Sequence, residues 1–531
     1  MNPKIICLLL FFIYNAACSQ HIINHKWDRP CGGNDNEEFT QILQTNDGGY
    51  IIAGVSNSDV TGDKTQNAVT NSLDYWVLKI DSSGVKQWDR RYGSNDDEEL
   101  LSIAPTSDGG YILTGTTWSV IGWDKTCGPA QIGSSRHGWV VKIDSIGNIM
   151  WDECFGASLT TIYEHLNAGQ QTSDGGYMFA GYMYPPNVGS TYWMIKTNSL
   201  GVQQWDVLYG GSVSEFLTDA KQTPDGGYIL GGESDSPVSG NKGIPAFAST
   251  DYWVVKTDSL GAKQWEGVYG GTDLDVLTQI TLTNDNGYIL AGYSSSGVSG
   301  NKTQPNWDPS GSSYDYWIVK IDSSGNIEWD KDFGGTSHEY CYSIIQTSDN
   351  GYLMSGFSAS GIGGDKTENN VYIQEPWIVK IDSMGNKQWE KTIFGRASGK
   401  VQAIETGFDE YVIACHAYGN AVGYMTHATH NLSRDFLIIK IGDSTITTSV
   451  HSPEINQDIQ IVPNPAENKF SISISDGKIA KLDLIDFLGR TIYSTENYRG
   501  LPIDCGNYER GIYFVSLSTS DGIFVKKLIL E

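Results

Sequence analysis

Three aromatic positions recur along this chain at a period of about 60 residues, and that recurrence limits the fold more than any other feature. One copy runs from Thr283 to Gly335. The apolar run Tyr288-Ile289-Leu290-Ala291-Gly292 follows Asn284-Asp285-Asn286-Gly287, whose residues tolerate the backbone of a tight hairpin turn. The run Tyr316-Trp317-Ile318-Val319-Lys320-Ile321 ends at Asp322-Ser323-Ser324-Gly325, a second hairpin signal. Ile327, Trp329, Lys331 and Phe333 then alternate with acidic residues, the period of a half-exposed strand. With Val276 to Leu282 ahead of it, each copy reads as a four-stranded antiparallel meander.

The second-strand tyrosines are Tyr50, Tyr111, Tyr177, Tyr228, Tyr288, Tyr352 and Tyr411. The third-strand aromatics are Trp76, Trp139, Trp193, Trp253, Trp317, Trp377 and Phe436, and the fourth-strand tryptophans are Trp27, Trp88, Trp151, Trp205, Trp265, Trp329 and Trp389. The chain thus opens on a fourth strand (Lys26-Trp27-Asp28), and its last copy lacks one. A ring explains this offset, because the first strand can complete the last unit and cover its edge. The expectation is an all-β chain. Residues 20–441 form a seven-bladed β-propeller closed by the N-terminal strand, with residues 26–30 antiparallel to 435–441, and a small C-terminal β-sandwich follows.

The formal charge of −27 argues against a nucleic-acid partner, since nothing on such a surface neutralises phosphate. Residues 1–19 read as a signal peptide: Lys4, apolar Ile5 to Tyr14, then small residues. Cys18 raises a lipoprotein alternative, against which Asn15 stands where an aliphatic residue belongs. No other apolar run is long enough to cross a bilayer, so an exported chain without a transmembrane segment is expected. Cys31, Cys127, Cys154, Cys341, Cys415 and Cys505 follow no recurring spacing. Most are expected as isolated buried thiols, and their pairing is not deducible.

The turns between first and second and between third and fourth strands are tight. The second-to-third loops are long except in the third copy, which makes their face the candidate binding face. Three tryptophans lie outside the recurring positions, Trp118, Trp123 and Trp307, all in such loops, as do Tyr184, Phe247, Tyr314, Tyr372 and Tyr424. Loop aromatics can stack on sugar rings or bury against a protein partner; they can equally pin the loops to the blades. An acid also recurs ahead of the first strand: Glu37, Glu98, Glu164, Glu215, Asp275 and Glu339, with Ser398 in the seventh copy. Read functionally, these are a ring on the same face able to hold a cation such as Ca2+ or a polar ligand. Read structurally, each serves its own blade, with Lys64, Lys125, Lys242, Lys302 and Lys366 as recurring partners. His427 and His430, three apart in the last long loop, are weak metal candidates. No nucleophile elbow, zinc-protease or phosphate-loop motif occurs, so a hydrolase or lyase acting on polysaccharide ranks behind a binding or adhesion protein. A purely structural surface protein is a third reading.

Composition shifts after Ile441. Residues 442–459 read as a polar linker and 460–531 as a separate all-β unit. Pro463-Asn464-Pro465, Phe487-Leu488-Gly489-Arg490, Gly511-Ile512-Tyr513-Phe514-Val515 and Lys526-Lys527-Leu528-Ile529-Leu530 together resemble the type A sorting domain of type IX secretion found in Bacteroidota. The resemblance implies the type IX secretion machinery as a partner through residues 460–531, passage through the outer membrane, and release or surface attachment. The repeats resemble the roughly 60-residue propeller repeats that often precede such domains, a likeness that implies no activity.

Overall fold

The computed structural model describes residues 23–128, 136–156, 163–185, 189–308, 310–407, 409–443, 460–473, 479–485, 491–508, 510–519 and 522–530. The expected signal peptide with Cys18, nearly all of the expected linker and the Phe487–Arg490 segment lie outside them. The chain divides into two compact units at residue 443.

The larger unit is built of seven four-stranded antiparallel sheets. The Thr283 copy forms Asp275–Leu282, Tyr288–Ser294, Asp315–Ile321 and Ile327–Phe333, hydrogen-bonded in that order. The last sheet consists of Ala397–Gly407, Glu410–Tyr418, Arg434–Asp443 and, from the other end of the sequence, Ile23–Cys31. Trp27 stands opposite Lys440 and Cys31 opposite Phe436, in antiparallel register. Asp28 of this strand accepts hydrogen bonds from the Thr426 amide (2.8 Å) and hydroxyl (2.6 Å), tying down the last long loop. Each first strand packs against the first strand of the next sheet, and the seventh packs against the first.

Third strands such as Asp74–Ile80 and Asp315–Ile321 are buried along their whole length, which is why they read as unbroken apolar and aromatic runs. Their indole N–H groups need acceptors. Trp76, Trp139, Trp193 and Trp317 donate to Asp89, Asp152, Asp206 and Asp330, the acid after each fourth-strand tryptophan, at 2.9–3.2 Å. Neighbouring sheets are joined by a repeated aromatic contact. Tyr75, Tyr192, Tyr252 and Tyr316 lie 4.7–5.0 Å, centroid to centroid, from Trp139, Trp253, Trp317 and Trp377. Phe436 makes the same contact with Trp76 at 4.9 Å, between the last sheet and the first. Register corrects the sequence alignment here: Phe436 occupies the place of these tyrosines and Leu437 that of the tryptophan.

Cys127 and Cys154 form a disulfide between the long loop and the outer strand of the second sheet, while Cys31, Cys341, Cys415 and Cys505 are buried thiols. In the smaller unit, one sheet of Gln460–Val462, Lys469–Ser473 and Ile503–Asp504 and another of Thr491–Tyr498, Ile479–Ile485, Gly511–Thr519 and Gly522–Leu530 enclose a core that includes Phe470, Ile472, Leu482, Leu484, Val515 and Leu528.

Candidate functional site

A channel runs between the seven first strands, and all seven line it. In six of them one residue bulges out of the ladder: Thr40, Leu101, Asn167, Thr218, Thr278 and Tyr342. All six bulged side chains border the channel. Glu38, Glu99, His165, Phe216, Val276 and Tyr340 stand two residues earlier on these strands, toward the long-loop face, and so ring the channel mouth.

Two sectors of this mouth are aromatic. In the first, Tyr182 stacks on His165 (4.5 Å) and meets the edge of Phe216 (5.1 Å). Tyr184 lies 6.4 Å from both Phe216 and Tyr163. The Arg136 guanidinium sits 3.8 Å over the Trp118 ring, approaches His165 at 3.0 Å and pairs with Glu99 at 3.2 Å. Burial, and secondarily the Arg136 charge, push the His165 pKa down to about 3, so this imidazole is neutral. Tyr163 and Tyr184 present 49% and 36% of their surface to solvent. In the second sector, Tyr314 lies 5.2–5.6 Å from His338, Tyr293 and Tyr340. Glu233 faces the interval between the sectors, where burial and then Asp235 push its pKa up to about 7.

Of the predicted loop residues, the structure brings Trp118, Tyr184 and Tyr314 into these sectors. Trp307 is 47% exposed, but its indole donates to Asp365 at 2.8 Å and so pins its loop to that of the next sheet. Trp123 is 72% exposed. It occupies, at φ 53°, the left-handed loop position that other copies give to Gly62, Gly240, Gly300, Gly364 and Gly423. A Cβ at each of those glycines would lie 2.3–2.4 Å from a carbonyl oxygen. The equivalent loop bond in the Trp123 copy, Asp124 amide to Gly93 carbonyl, is 3.3 Å against 2.8–3.1 Å elsewhere.

The ring of acids does not open onto this face. Glu37, Glu98, Glu164, Glu215, Asp275 and Glu339 are wholly buried. Each but Glu164 closes the turn leading into its strand by accepting an amide proton four residues upstream, at 2.7–3.2 Å. Ser56, Thr117, Ser234 and Ser358 hydroxyls bind the other oxygen of Glu37, Glu98, Glu215 and Glu339; Glu164 instead pairs with His137 at 3.1 Å. In the seventh copy Ala397, not Ser398, takes the acid's place, because that strand is longer and defeats counting along the sequence. The recurring lysines do not pair directly with the acids: Lys64 reaches Ser56, which in turn binds Glu37. Lys64, Lys242, Lys302 and Lys366 lie 5.3–5.9 Å over the third-strand tryptophans.

His430 Nδ1 is 2.7 Å from Asp435, and His427 meets Thr426 at 2.9 Å and Asp28 at 3.8 Å. Among the described residues no group of three or more His, Cys, Asp or Glu is placed to hold a metal, whether at these histidines or for Ca2+ at the acids. The residues that sequence reasoning missed are Arg136, Tyr163, His165, Tyr182, Phe216, Tyr293, His338 and Tyr340. Their signal is available in principle, since several are aromatic at positions where other copies carry Glu, Val or Thr.

Residues 460–531 match the family described as the secretion system C-terminal sorting domain. The chain is 21% identical over 379 residues to the regulatory protein FlaEY of Caulobacter vibrioides; the match covers 63% of this chain but only 37% of that protein. Similar solved structures include the Pan2 WD40 domain of Neurospora crassa (11% identity, 80% of this chain and 98% of that one, TM-score 0.42). Proteins of unknown function from Bacteroides caccae (12%, 64% and 93%, 0.34) and Dyadobacter fermentans (9%, 79% and 99%, 0.38) are also similar. No helix among the described residues is long and apolar enough to cross a membrane. The C-terminal residues are a type IX secretion sorting domain, which marks this repeated-sheet protein for secretion and surface attachment.

Proposed function

We propose that the seven sheets are the blades of a closed propeller, and that this exported protein binds a glycan through the aromatic mouth of its channel. Closure is supported by the pairing of Ile23–Cys31 with Arg434–Asp443 and by the Phe436–Trp76 contact. The observation that carries binding is the group Trp118, Arg136, His165, Tyr182, Tyr184 and Phe216. It draws on three successive sheets and no other sheet repeats it as a set, so scaffold packing does not call for it. Partly exposed rings beside neutral and cationic donors suit the apolar faces and hydroxyls of sugars. Trp123, held exposed at a strained position, is a second contact in the same loop as Trp118. Strain that persists without a packing role marks functional positions.

The test is a glycan array probed with the secreted chain and with a Trp118→Ala/Tyr184→Ala variant. Each ring is worth about 0.5–1.5 kcal/mol, so the double change should weaken a bound glycan by roughly tenfold. Unchanged glycan binding would place recognition elsewhere, and binding confined to proteins would replace a sugar with a protein partner. Assaying the same panel for cleavage tests the enzymatic alternative, for which the raised pKa of Glu233 is the motivating feature.

A further inference from the structure

The seventh first strand departs from the other six. Ser398 stands opposite His416 and Gln402 opposite Ala414, so three residues face the single Cys415: the strand carries two extra residues where the others carry one. The departure is fixed by Gly399 at φ 70°, where a Cβ would lie 1.9 Å from the His416 ring. Lys400 rides on this bulge into the channel.

The channel lining holds three charged side chains: Asp219, Lys221 and Lys400. Asp219 is already engaged by the Lys221 ammonium (2.7 Å), the Ala220 amide (2.8 Å) and the Ile280 amide (3.1 Å). Glu99, the other carboxylate whose field Lys400 feels, is held by Arg136. Among the described residues no carboxylate lies within ion-pairing distance of Lys400. Lys400 is exposed to solvent, but the strands on every side of the channel partly desolvate it, and this lowers its pKa. Around it stand the hydroxyls of Thr40, Thr218, Thr278 and Ser343 and the amide of Asn167. The result is a net positive, hydroxyl-lined channel within a chain of formal charge −27.

We propose that Lys400 makes this channel a binding site for a small oxyanion, a carboxylate or phosphate group, entering through the aromatic mouth. The ammonium supplies charge-assisted donors; the Thr40, Thr218 and Thr278 hydroxyls already donate to backbone carbonyls, which leaves the Ser343 hydroxyl and the second amide hydrogen of Asn167 as further donors. The accessible volume, about 90 Å³, admits one such group with a few waters. The site stands independently of the glycan reading. An acidic sugar could place its carboxylate here, and so could free phosphate.

Calorimetric titration of the secreted chain with sodium acetate, sodium phosphate and sodium glucuronate, each at fixed ionic strength, tests this. Saturable binding is expected for at least one of them. Lys400→Gln should weaken it at least tenfold, while Lys400→Arg retains it. Acetate and phosphate distinguish the two oxyanions, and glucuronate binding more tightly than acetate would assign the site to an acidic sugar. Absence of saturable binding, or equal binding by Lys400→Gln, overturns the proposal. If Lys400→Gln does not fold, phosphate-soaked wild-type crystals decide: density within about 3 Å of Lys400 Nζ supports the site, and its absence refutes it.

Discussion

Glu37→Gln should make the protein more stable above neutral pH, although Glu37 is buried and accepts hydrogen bonds from the Gly33 amide and the Ser56 hydroxyl. Glu37 and Asp435 meet where the last sheet abuts the first. Glu37 Oε2 and Asp435 Oδ1 each lie 2.4 Å from the same point beside Gly32, so they are no more than twice that distance apart. Burial, offset in part by hydrogen bonds from Ser56, Ser58 and Gly33, pushes the Glu37 pKa up to about 7 from an ordinary 4.5; Asp435 is raised too, again mainly by burial. Asp435 Oδ1 receives no hydrogen bond from the protein, and a proton held on Glu37 is the donor we expect there. A group with a raised folded-state pKa contributes stability that is complete below pH 4.5 and is lost as the pH climbs through 7. The loss is about 3 kcal/mol at 1.36 kcal/mol per pH unit. Glutamine mimics the protonated acid, keeping an acceptor for Ser56 and offering an N–H to Asp435. Urea unfolding at pH 5 and pH 8 is the assay. Wild type should lose stability across that interval, and Glu37→Gln should lose less and be the more stable protein at pH 8. Equal slopes, with the variant the weaker at both pH values, would falsify the shared proton and leave Glu37 ionised, compensated by Lys64 through Ser56.

Two further outcomes test the scaffold and the mouth. Trp123→Gly should be more stable than Trp123→Ala. Both lose the ring, but only glycine escapes a left-handed strain of about 1–2 kcal/mol, against an entropic cost of about 0.5–1 kcal/mol, and calorimetry resolves the difference. Asp28→Ala should cost about 3 kcal/mol in urea unfolding, because it strips two hydrogen bonds from a buried carboxylate that fastens Thr426 across the two ends of the larger unit. The loop near His427 should then become the first site cut by a protease.

The sheets were legible because four-strand periodicity is local: each turn, apolar run and aromatic sits within about 60 residues of its partners. The pairing of the first strand with the last was legible from the count alone, since a leading Trp27 strand and a missing final one complement each other. Register was less legible. Phe436 and Ser398 were placed one position off because neither a Tyr-for-Phe exchange nor an extra strand residue announces itself in a gapless reading. Burial of Glu37 and its counterparts was not decidable either, since a carboxylate recurring in every copy looks the same whether it serves solvent or a seam. Arg136 over Trp118 escaped notice because it joins the two ends of one long loop, and Arg136 beside His165 because it joins two sheets.

The geometry of a repeat array also says where specificity has to be written. Seven near-identical units around a channel each offer the same inner position to its mouth, so identical residues would make that mouth featureless. Here the position reads Glu38, Glu99, His165, Phe216, Val276, Tyr340 and Ser398: no aromatic in the first two copies, three among the next four, and in the last a serine followed directly by the Gly399-Lys400 bulge. The blade-forming residues constrain the fold and vary little between copies, while these seven touch no recurring partner and are free to differ. A ligand on the axis meets all of them at once, with rings on one side, an acid-held arginine beside them and an unpaired lysine below. On the proposed reading, changing one inner residue alters recognition without disturbing any of the seven sheets. Changing a recurring one, such as Trp317 or Asp330, disturbs a sheet first.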